Sequence, residues 1–238
     1  MNNTVLSNYL KRTGFGTFCP KAVLFDMDGV LINSMPNHVV AWQQSMAQFG
    51  ILFTENDSYS TEGARGVDTI RNMVKLQQHR DITEEEAQKM YDVKAAIFAQ
   101  MPKAEIMPGA YALMEKLNRN GMMIGVVTGS GQRPLIERLK TEFSPFVVEE
   151  RMTTAYDVKR GKPNPDPYLM GMEKCGVLPN QTIVVENAPL GVQAGNAAKA
   201  FTIGANTGPL PENILKEAGA DIVFPSILAV CDAWDELF

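Results

Sequence analysis

The stretch AVLFDMDGVLINS, at residues 22–34, joins a short apolar run to two carboxylates, those of Asp26 and Asp28. Four consecutive apolar residues of this kind are typical of a strand that is buried on both faces of a parallel sheet. Like charges repel, so two carboxylates at the end of a buried strand predict a site that binds a positive group. Gly29 follows the pair and would let the chain turn tightly away from it.

Short apolar runs of the same kind recur along the chain, with helical spacing between them from residue 108 onward. The further runs lie at residues 122–127, 146–148, 182–185, 201–205 and 221–224. Two of the intervening helices are marked by apolar residues at helical spacing, which are Leu113, Met114 and Leu117, then Leu135, Ile136 and Leu139. Strands that alternate with helices form a parallel sheet with right-handed crossovers. We therefore predict an α/β fold with a Rossmann-like parallel sheet, in which ligands bind at the carboxyl ends of the strands.

Residues 35–105 interrupt this alternation with helical patterns alone. Apolar residues form three helical stripes, which are Val39, Trp42, Met46 and Phe49; Val67, Ile70 and Val74; and Ala87, Met90, Tyr91, Ile97 and Phe98. Thr83 and Glu86 have the spacing of a capping box before the third stripe. The segment is too long for a crossover, so we predict an α-helical cap domain inserted at 35–105. The core domain then comprises residues 21–34 and 106–238, and residues 1–20 form an N-terminal extension, partly mobile and with no readable role.

Length and composition are those of an ordinary soluble globular protein. The chain has 238 residues, 45% of them hydrophobic, and a formal net charge of −5, which argues against a nucleic-acid partner. Its three scattered cysteines lack a Cys-x-x-Cys spacing, as is typical of a reduced cytoplasmic protein. No apolar stretch reaches the roughly 18 residues of a membrane span, and residues 1–20 lack the order of a signal peptide. We expect a cytoplasmic protein with no membrane partner, acting as a monomer, with a dimer left open.

Polar side chains follow the predicted strands at the points where the strands end. These are Thr128, Gly129 and Ser130 after the run at 122–127, Glu186 and Asn187 after the run at 182–185, and Lys162 in a Pro-rich loop before a further helix. The carboxyl ends of parallel strands share one edge of the sheet, so these groups would meet the two aspartates there. A carboxylate can attack phosphorus, and Mg²⁺ can offset the repulsion between the two. Lysine, hydroxyl and backbone N–H groups can hold the phosphoryl oxygens, so the edge predicts a site for phosphoryl chemistry.

The order of these residues along the chain carries a family resemblance. An Asp-x-Asp-Gly-Val motif at 26–30 is followed by Thr128, by Lys162 and by VVEN at 184–187. With these motifs, residues 21–238 resemble the haloacid dehalogenase superfamily, in its branch of β-phosphoglucomutase-like phosphatases with a helical cap. The resemblance implies a Mg²⁺-dependent phosphohydrolase that works through an aspartyl-phosphate. It also implies Asp26 as the nucleophile and Asp28 as the general acid and base.

The resemblance extends to the other groups at the predicted edge. Thr128 and Lys162 match the pair that orients the phosphate, and His38 matches a cap-linker position that contacts the acid/base or the substrate. The other positions assigned to substrate or phosphate binding are Gly63, Arg65, Gly129, Ser130 and Asn187. The positions assigned to Mg²⁺ are Asp26, Asp28 through its backbone carbonyl, Glu186, Asn187 and, as a hypothesis, Glu62.

The metal-site motif and the first motif each depart from the family pattern. The metal-site motif usually ends Glu-Asp, whereas here it ends on Asn187. An Asn carbonyl can still ligate Mg²⁺, but one negative charge is lost. Asn33 stands seven residues after the first aspartate, where the mutases carry Asp.

The cap loop departs from the pattern of the mutases more strongly. Mutases carry a lysine directly before the glycine that corresponds to Gly63 and an arginine three residues after it, whereas this chain has Glu62 and Gly66 there. Arg65, one position away, is a candidate replacement for the arginine. A mutase must hold a second phosphate in its cap, a task that suits arginine and that a glutamate would oppose. The loop therefore favours hydrolysis over phosphoryl transfer between sugar hydroxyls.

The two departures together suggest a hypothesis about the metal and the substrate. Glu62, on the closing cap, would supply the charge lost at Asn187 and ligate Mg²⁺ directly or through water. Closure would then leave room only for a small substrate, such as inorganic pyrophosphate or a short phosphoester. Two alternatives stay open at this point: a β-phosphoglucomutase, and a non-catalytic phosphate-binding regulatory protein on a phosphatase scaffold.

Overall fold

The computed structural model of the chain describes residues 3–131, 133–211 and 213–238. The helices in these ranges are α1 (Asn3–Thr13), α2 (Met35–Gln48), α3 (Glu55–Ser60), α4 (Gly66–Gln78), α5 (Glu84–Phe98), α6 (Ala110–Arg119), α7 (Arg133–Glu142), α8 (Asp166–Cys175), α9 (Pro189–Ala197), α10 (Ile214–Glu217) and α11 (Ile227–Leu237). The strands are β1 (Ala22–Phe25), β2 (Met123–Val127), β3 (Met152–Thr153), β4 (Thr182–Glu186), β5 (Phe201–Ala205) and β6 (Ile222–Phe224). Within the described ranges, no helix combines the length and the apolar character needed to cross a membrane.

The strands form one parallel sheet in the order β3-β2-β1-β4-β5-β6. Phe25, the last residue of β1, pairs with Val126 on β2 and with Val185 on β4. Apolar clusters cover both faces of the sheet, which is why β1 contains no polar residue. The predicted α/β class and the parallel sheet are confirmed, and the register brings the ends of β1, β2 and β4 to one edge.

The prediction of a strand at residues 146–148 is wrong. Phe146 and Val147 are buried, but the N–H group of each bonds to the carbonyl of Phe143 in a turn that follows α7. The Phe146 ring packs edge-on against Tyr111, with 5.3 Å between the ring centroids. Burial in a turn gives the same apolar run as burial in a strand, and the third strand lies instead at Met152–Thr153.

The N-terminal segment contains a helix that the sequence analysis did not predict. Tyr9 on α1 is fully buried, with its ring 5.1 Å from that of Phe18 and 5.4 Å from that of Phe201. Arg12 forms an ion pair with Asp221 at 2.8 Å. Over residues 3–13, the predicted extension is therefore a helix packed against the α/β unit. The expectation that it is partly mobile finds no support in these contacts.

Residues 35–105, all of them described, contain helices and no strand. The predicted stripes lie on α2, α4 and α5, and they meet in an apolar cluster of their own that includes Trp42, Met46, Ile70 and Val74. The predicted capping box of Thr83 and Glu86 opens α5. The short helix α3 was not predicted. The division of the chain into a cap at 35–105 and a core stays a prediction, and the name cap is kept for this segment below.

Candidate active site

One buried lysine joins the ends of three strands. The Lys162 Nζ atom donates to Asp26 Oδ1 at 2.5 Å, to Glu186 Oε1 at 2.6 Å and to the Val127 carbonyl at 3.0 Å. Asp26 directly follows β1, whereas Val127 and Glu186 end β2 and β4. Burial raises the pKa of Asp26 to about 8; the Lys162 ammonium lowers that pKa, and the charges of Glu186 and Asp28 raise it. The predicted nucleophile and the predicted phosphate-orienting lysine are therefore in contact.

Glu186 is held by four hydrogen bonds. Its Oε1 atom accepts from Lys162 and from the Tyr168 hydroxyl, the latter at 2.7 Å. Its Oε2 atom accepts from the backbone N–H groups of Asn187 at 3.0 Å and Ala188 at 3.2 Å. A carboxylate has about four lone-pair positions, so direct metal ligation by Glu186 would replace one of these bonds. This arrangement favours Glu186 as the acceptor that orients Lys162, and its predicted role as a metal ligand stays a prediction.

Asp28 interacts with neighbours on the chain that leads into the cap. Asp28 Oδ1 accepts from the Ser34 hydroxyl at 2.5 Å and lies 3.1 Å from His38 Nε2. Burial would raise the pKa of Asp28, but the interactions with His38 and Ser34 outweigh it and lower that pKa. His38 contacts the predicted acid/base, as the sequence predicted, and the ionised form of Asp28 is the one that can activate water.

Lys94 is a site residue that the sequence analysis missed. Its Nζ atom lies 2.6 Å from His38 Nδ1, and the side chain is buried among the rings of Trp42, Tyr91 and Phe98, whose centroids lie 5.0–5.8 Å from Nζ. Burial lowers the pKa of Lys94 to about 7. The signal was present, because Lys94 lies four residues after Met90 on the buried stripe of α5. A charged residue at a core position of an amphipathic helix is uncommon unless it is paired.

Replacing Lys94 by Met should change how the stability of the protein depends on pH. Between the lowered pKa of about 7 and the ordinary value of 10.5, the unfolded chain binds a proton that the folded protein lacks. Stability therefore rises with pH in this interval, and Met removes the effect. Relative to the variant, the free energy of unfolding of the wild-type protein should rise by at most about 1.4 kcal/mol per pH unit.

Urea unfolding of both proteins over this pH interval measures the difference. Lys75→Met, at a solvent-exposed lysine of the cap, is the matched control and should show no such trend. A gap between wild type and Lys94→Met that does not change with pH would contradict the prediction.

The loop after β2 faces the cap across a small cavity. Thr128 is buried, and its Oγ1 atom accepts from the Ser130 N–H group at 2.9 Å. A Cβ atom at Gly129 would lie 2.6 Å from the Gly63 carbonyl, so only glycine lets the cap loop approach this closely. The cavity measures about 60 Å³, and its lining includes Asp26, Asp28, His38, Glu62, Gly63, Lys94, Thr128, Gly129 and Ser130. Most of the predicted site residues therefore meet around one small, partly open space.

Glu62 and Asn187, the two departures from the family pattern, are in contact. The Asn187 Nδ2 atom donates to Glu62 Oε1 at 3.1 Å and to Oε2 at 3.2 Å. Burial, followed by the charge of Asp26, raises the pKa of Glu62 well above its ordinary value. A Cβ atom at Gly29 would lie 2.2 Å from Asn187 Nδ2, and the positive φ of 78° at Gly29 also favours glycine.

The Asn187 Oδ1 atom is buried and has no hydrogen-bond partner in the described structure. Buried polar atoms without a partner are uncommon in folded proteins. This oxygen is therefore free to accept a hydrogen bond or to bind a cation. Within the described ranges, no three His, Cys, Asp or Glu side chains are grouped so as to hold a metal by themselves. The three carboxylates of the predicted donor set, those of Asp26, Glu62 and Glu186, are therefore not grouped as a metal site by themselves. The set also includes the Asn187 amide oxygen and the backbone carbonyl of Asp28.

Arg65 is not among the residues that line the cavity, and its role as a phosphate contact stays a prediction. Its guanidinium donates from Nη1 to the Lys159 carbonyl at 2.6 Å and from Nη2 to Glu84 Oε1 at 2.6 Å. Arg65 directly precedes α4, and its side chain is 21% exposed. Glu62, three residues earlier, points inward instead.

Comparison with known proteins yields consistent matches along most of the chain. A family model described as a haloacid dehalogenase-like hydrolase matches residues 20–199. Hexitol phosphatase A of Escherichia coli (strain K12) is 33% identical over 186 residues, which are 78% of this chain and 83% of that protein. Validoxylamine A 7'-phosphate phosphatase of Streptomyces hygroscopicus subsp. limoneus is 31% identical over 211 residues, which are 88% of this chain and 95% of that protein. The solved structure "Putative beta-phosphoglucomutase from Bacteroides vulgatus" is 45% identical, with a TM-score of 0.94 over 98% of this chain and 95% of that chain.

Proposed function

Because the chain belongs to the haloacid dehalogenase-like hydrolases, we propose that it is a Mg²⁺-dependent phosphohydrolase that cleaves a small phosphorylated substrate through an aspartyl-phosphate. The observation that carries the proposal is the contact of 2.5 Å between Asp26 and Lys162 at the strand edge. Asp28 lies two residues away and lines the same cavity. A nucleophile and an acid/base group thus line one small cavity, and a cation that can bind phosphate is in contact with the nucleophile.

The reaction proceeds in two steps with these residues. A carboxylate oxygen of Asp26 attacks phosphorus in line, and the bond from phosphorus to the leaving oxygen breaks. Asp28 donates a proton to that oxygen from its protonated form, which its lowered pKa makes the minor form in the protein without substrate. Asp28, now ionised, takes a proton from water as the water attacks phosphorus, which releases phosphate and restores Asp26. Lys162 and Thr128 hold the transferring group, together with the backbone N–H groups around Met27 and Gly129.

The chemistry of the donor set supports a hard divalent cation. The unpartnered Asn187 Oδ1 atom is an oxygen ligand of the kind that Mg²⁺ prefers, and Asp26, the Asp28 carbonyl and Glu62 are the other residues proposed to hold the ion. When bound, Mg²⁺ would supply positive charge that offsets the repulsion between the Asp26 carboxylate and the phosphoryl group. Burial, with the charges of Glu186 and Asp28, raises the pKa of Asp26, so a neighbouring cation would also favour its nucleophilic form.

Replacing Glu62 by Gln should weaken Mg²⁺ binding. The amide keeps the size of the side chain but removes the charge that we propose to compensate for Asn187. Changes around metal ligands typically cost about 10- to 100-fold in metal affinity, and we expect a loss in this range. Calorimetric titration of Mg²⁺ measures the affinity without any turnover, and phosphate release at varied Mg²⁺ measures the functional consequence.

The matched control is Glu55→Gln, at an exposed acid of the cap, which should change neither quantity. If Glu62→Gln left both phosphate release and Mg²⁺ dependence unchanged, Glu62 would have no part in the metal site.

The size of the cavity bears on the substrate. About 60 Å³ corresponds to the space of roughly four to six water molecules, which suits a phosphoryl group with a small leaving group. We therefore favour inorganic pyrophosphate or a short phosphoester. The names of the matched phosphatases favour larger phosphorylated polyols, which would require the cap to open further.

A phosphoglucomutase is the second candidate, favoured by the name of the structure from Bacteroides vulgatus. The inward-pointing Glu62 argues against it, because this carboxylate occupies the cap position where a second phosphate would bind. A phosphate-release screen with pyrophosphate, hexose phosphates and nucleotides, with and without EDTA, separates these possibilities. Release that EDTA abolishes supports the hydrolase, whereas isomerisation of β-glucose 1-phosphate that depends on a bisphosphate supports the mutase. Phosphate binding without either reaction would favour the non-catalytic alternative.

A further inference from the structure

Arg65 joins the cap loop at 61–66 to the core loop that carries Lys162. Its Nη1 atom donates to the Lys159 carbonyl at 2.6 Å, across the boundary between cap and core. Its other close partner, Glu84, belongs to the cap and is 66% exposed on its side chain. Exposed ion pairs contribute little to stability, so the bond from Arg65 to the Lys159 carbonyl is the contact that we expect to hold the loop against the core.

The stem of Arg65 also packs against the core loop. A Cβ atom at Gly161 would lie 2.8 Å from the Arg65 Cγ atom and 3.2 Å from its backbone nitrogen. Gly161 directly precedes Lys162, and its φ is not positive, so the absence of a side chain there serves close approach rather than backbone geometry. Arg65 therefore lies against the backbone that positions the catalytic lysine.

The loop between Arg65 and Glu62 is short and in close contact with the core. The Ala64 N–H group bonds to the Thr61 carbonyl at 3.2 Å, which closes a turn within the loop. A Cβ atom at Gly63 would lie 3.0 Å from the Lys162 side chain. Three residues span at most about 11 Å, so a displacement of Arg65 is transmitted to Glu62.

We propose that Arg65 is a positioning residue that holds loop 61–66 closed on the Lys162 loop and thereby places Glu62 beside Asn187. It touches neither the cavity nor the reacting atoms, and it acts through Glu62. The inference rests on the proposed function only for its kinetic consequence, since the closed position of the loop can be measured without any substrate. It gives this chain a means of coupling cap closure to completion of the site.

The first test is amide hydrogen exchange in Arg65→Gln, Arg65→Lys and Glu84→Gln. Exchange at Thr61 and Ala64 should rise about tenfold or more in Arg65→Gln, because closure is lost. It should rise less in Arg65→Lys, which can still donate to the Lys159 carbonyl, and should stay unchanged in Glu84→Gln. Unchanged exchange in Arg65→Gln, or an equal rise in Glu84→Gln, would overturn the proposal.

Gly161→Ala tests the same contact from the core side and leaves Arg65 intact. The added methyl group displaces the Arg65 stem, so exchange in loop 61–66 should rise as it does in Arg65→Gln. Wild-type exchange at Thr61 and Ala64 in this variant would contradict the proposed contact.

The second test is a double-mutant cycle with Glu62→Gln. If Arg65 acts through Glu62, Arg65→Gln should lower kcat/KM about tenfold in the wild-type background and less than about twofold in the Glu62→Gln background. Equal losses in both backgrounds would show that Arg65 acts independently, and the proposal would fail. A protein that hydrolyses no phosphorylated compound would refute the proposed function, while the exchange experiment would still decide whether Arg65 closes the loop.

Discussion

Asp26→Asn should lose phosphate release by a factor of about 10⁴ or more, the largest effect on activity expected of any single substitution. The amide has almost the shape of the carboxylate but cannot act as the nucleophile. Lys162 keeps its contacts with Glu186 and the Val127 carbonyl in this variant, so the fold should survive. The measurement is phosphate release in Mg²⁺ from the best substrate of the screen, with thermal unfolding as the check on folding.

Asp28→Asn is the matched control, because it keeps the nucleophile and removes the base needed for the second step. With an aryl phosphate, whose leaving group needs no proton, this variant should accumulate one covalent phosphoryl group per chain. Intact-mass measurement after an acid quench detects that group, and Asp26→Asn should show none. Turnover by Asp26→Asn at a rate near that of the wild type would exclude the aspartyl-phosphate mechanism.

Lys162→Met should destabilise the protein by about 3–5 kcal/mol, the largest effect on stability that we expect. Met replaces the stem of the lysine but leaves the buried carboxyl groups of Asp26 and Glu186 without their shared cation. Breaking a buried ion pair on one side is costly because the other charge stays out of water. The free energy of unfolding in urea, measured in EDTA, gives the size of the loss.

The loss should also grow above about pH 8. Lys162 lowers the pKa of Asp26, which is about 8 in the intact site, so removing the lysine raises that pKa further. A raised carboxyl pKa in the folded state costs stability as pH rises, until the folded-state pKa is passed. The stability of the wild type stops falling near pH 8, whereas that of the variant continues to fall to a higher pH. The difference in free energy of unfolding between the two proteins therefore grows between these pH values.

Lys89→Met is the control, since this lysine is 71% exposed and pairs with Glu85 on the surface of α5. Its effect should stay within about 0.5 kcal/mol. If Lys162→Met lowered the free energy of unfolding by no more than this, the buried contacts of Lys162 would not be a major source of stability.

The sequence predicted the sheet and its ligand-binding edge correctly, because burial on both faces of a strand gives a recognisable apolar run. The residues that follow such runs lie at the carboxyl ends of the strands, where ligands bind. Asp26, Thr128 and Glu186 were placed at this edge of the sheet correctly. The prediction failed at residues 146–148, because an apolar run records burial and not the hydrogen bonding of the backbone.

Side-chain direction was the other limit. The sequence located the cap loop and suggested that Glu62 enters the site, but it could not tell that Arg65 bonds to the Lys159 carbonyl instead, since that depends on how the loop meets Gly161. Lys94 left a local signal in its position on the buried stripe of α5, but its partner could not be identified, because His38 lies on another helix, 56 residues away. Contacts between distant segments leave no local pattern, even when each segment is predicted correctly.

The position of the cavity has a consequence for access to the site. The space of about 60 Å³ lies between the cap loop and the strand edge and stays partly open to solvent. A leaving group larger than this space would require the cap to move away before the substrate could bind, and lid movements of this kind take place over microseconds to milliseconds.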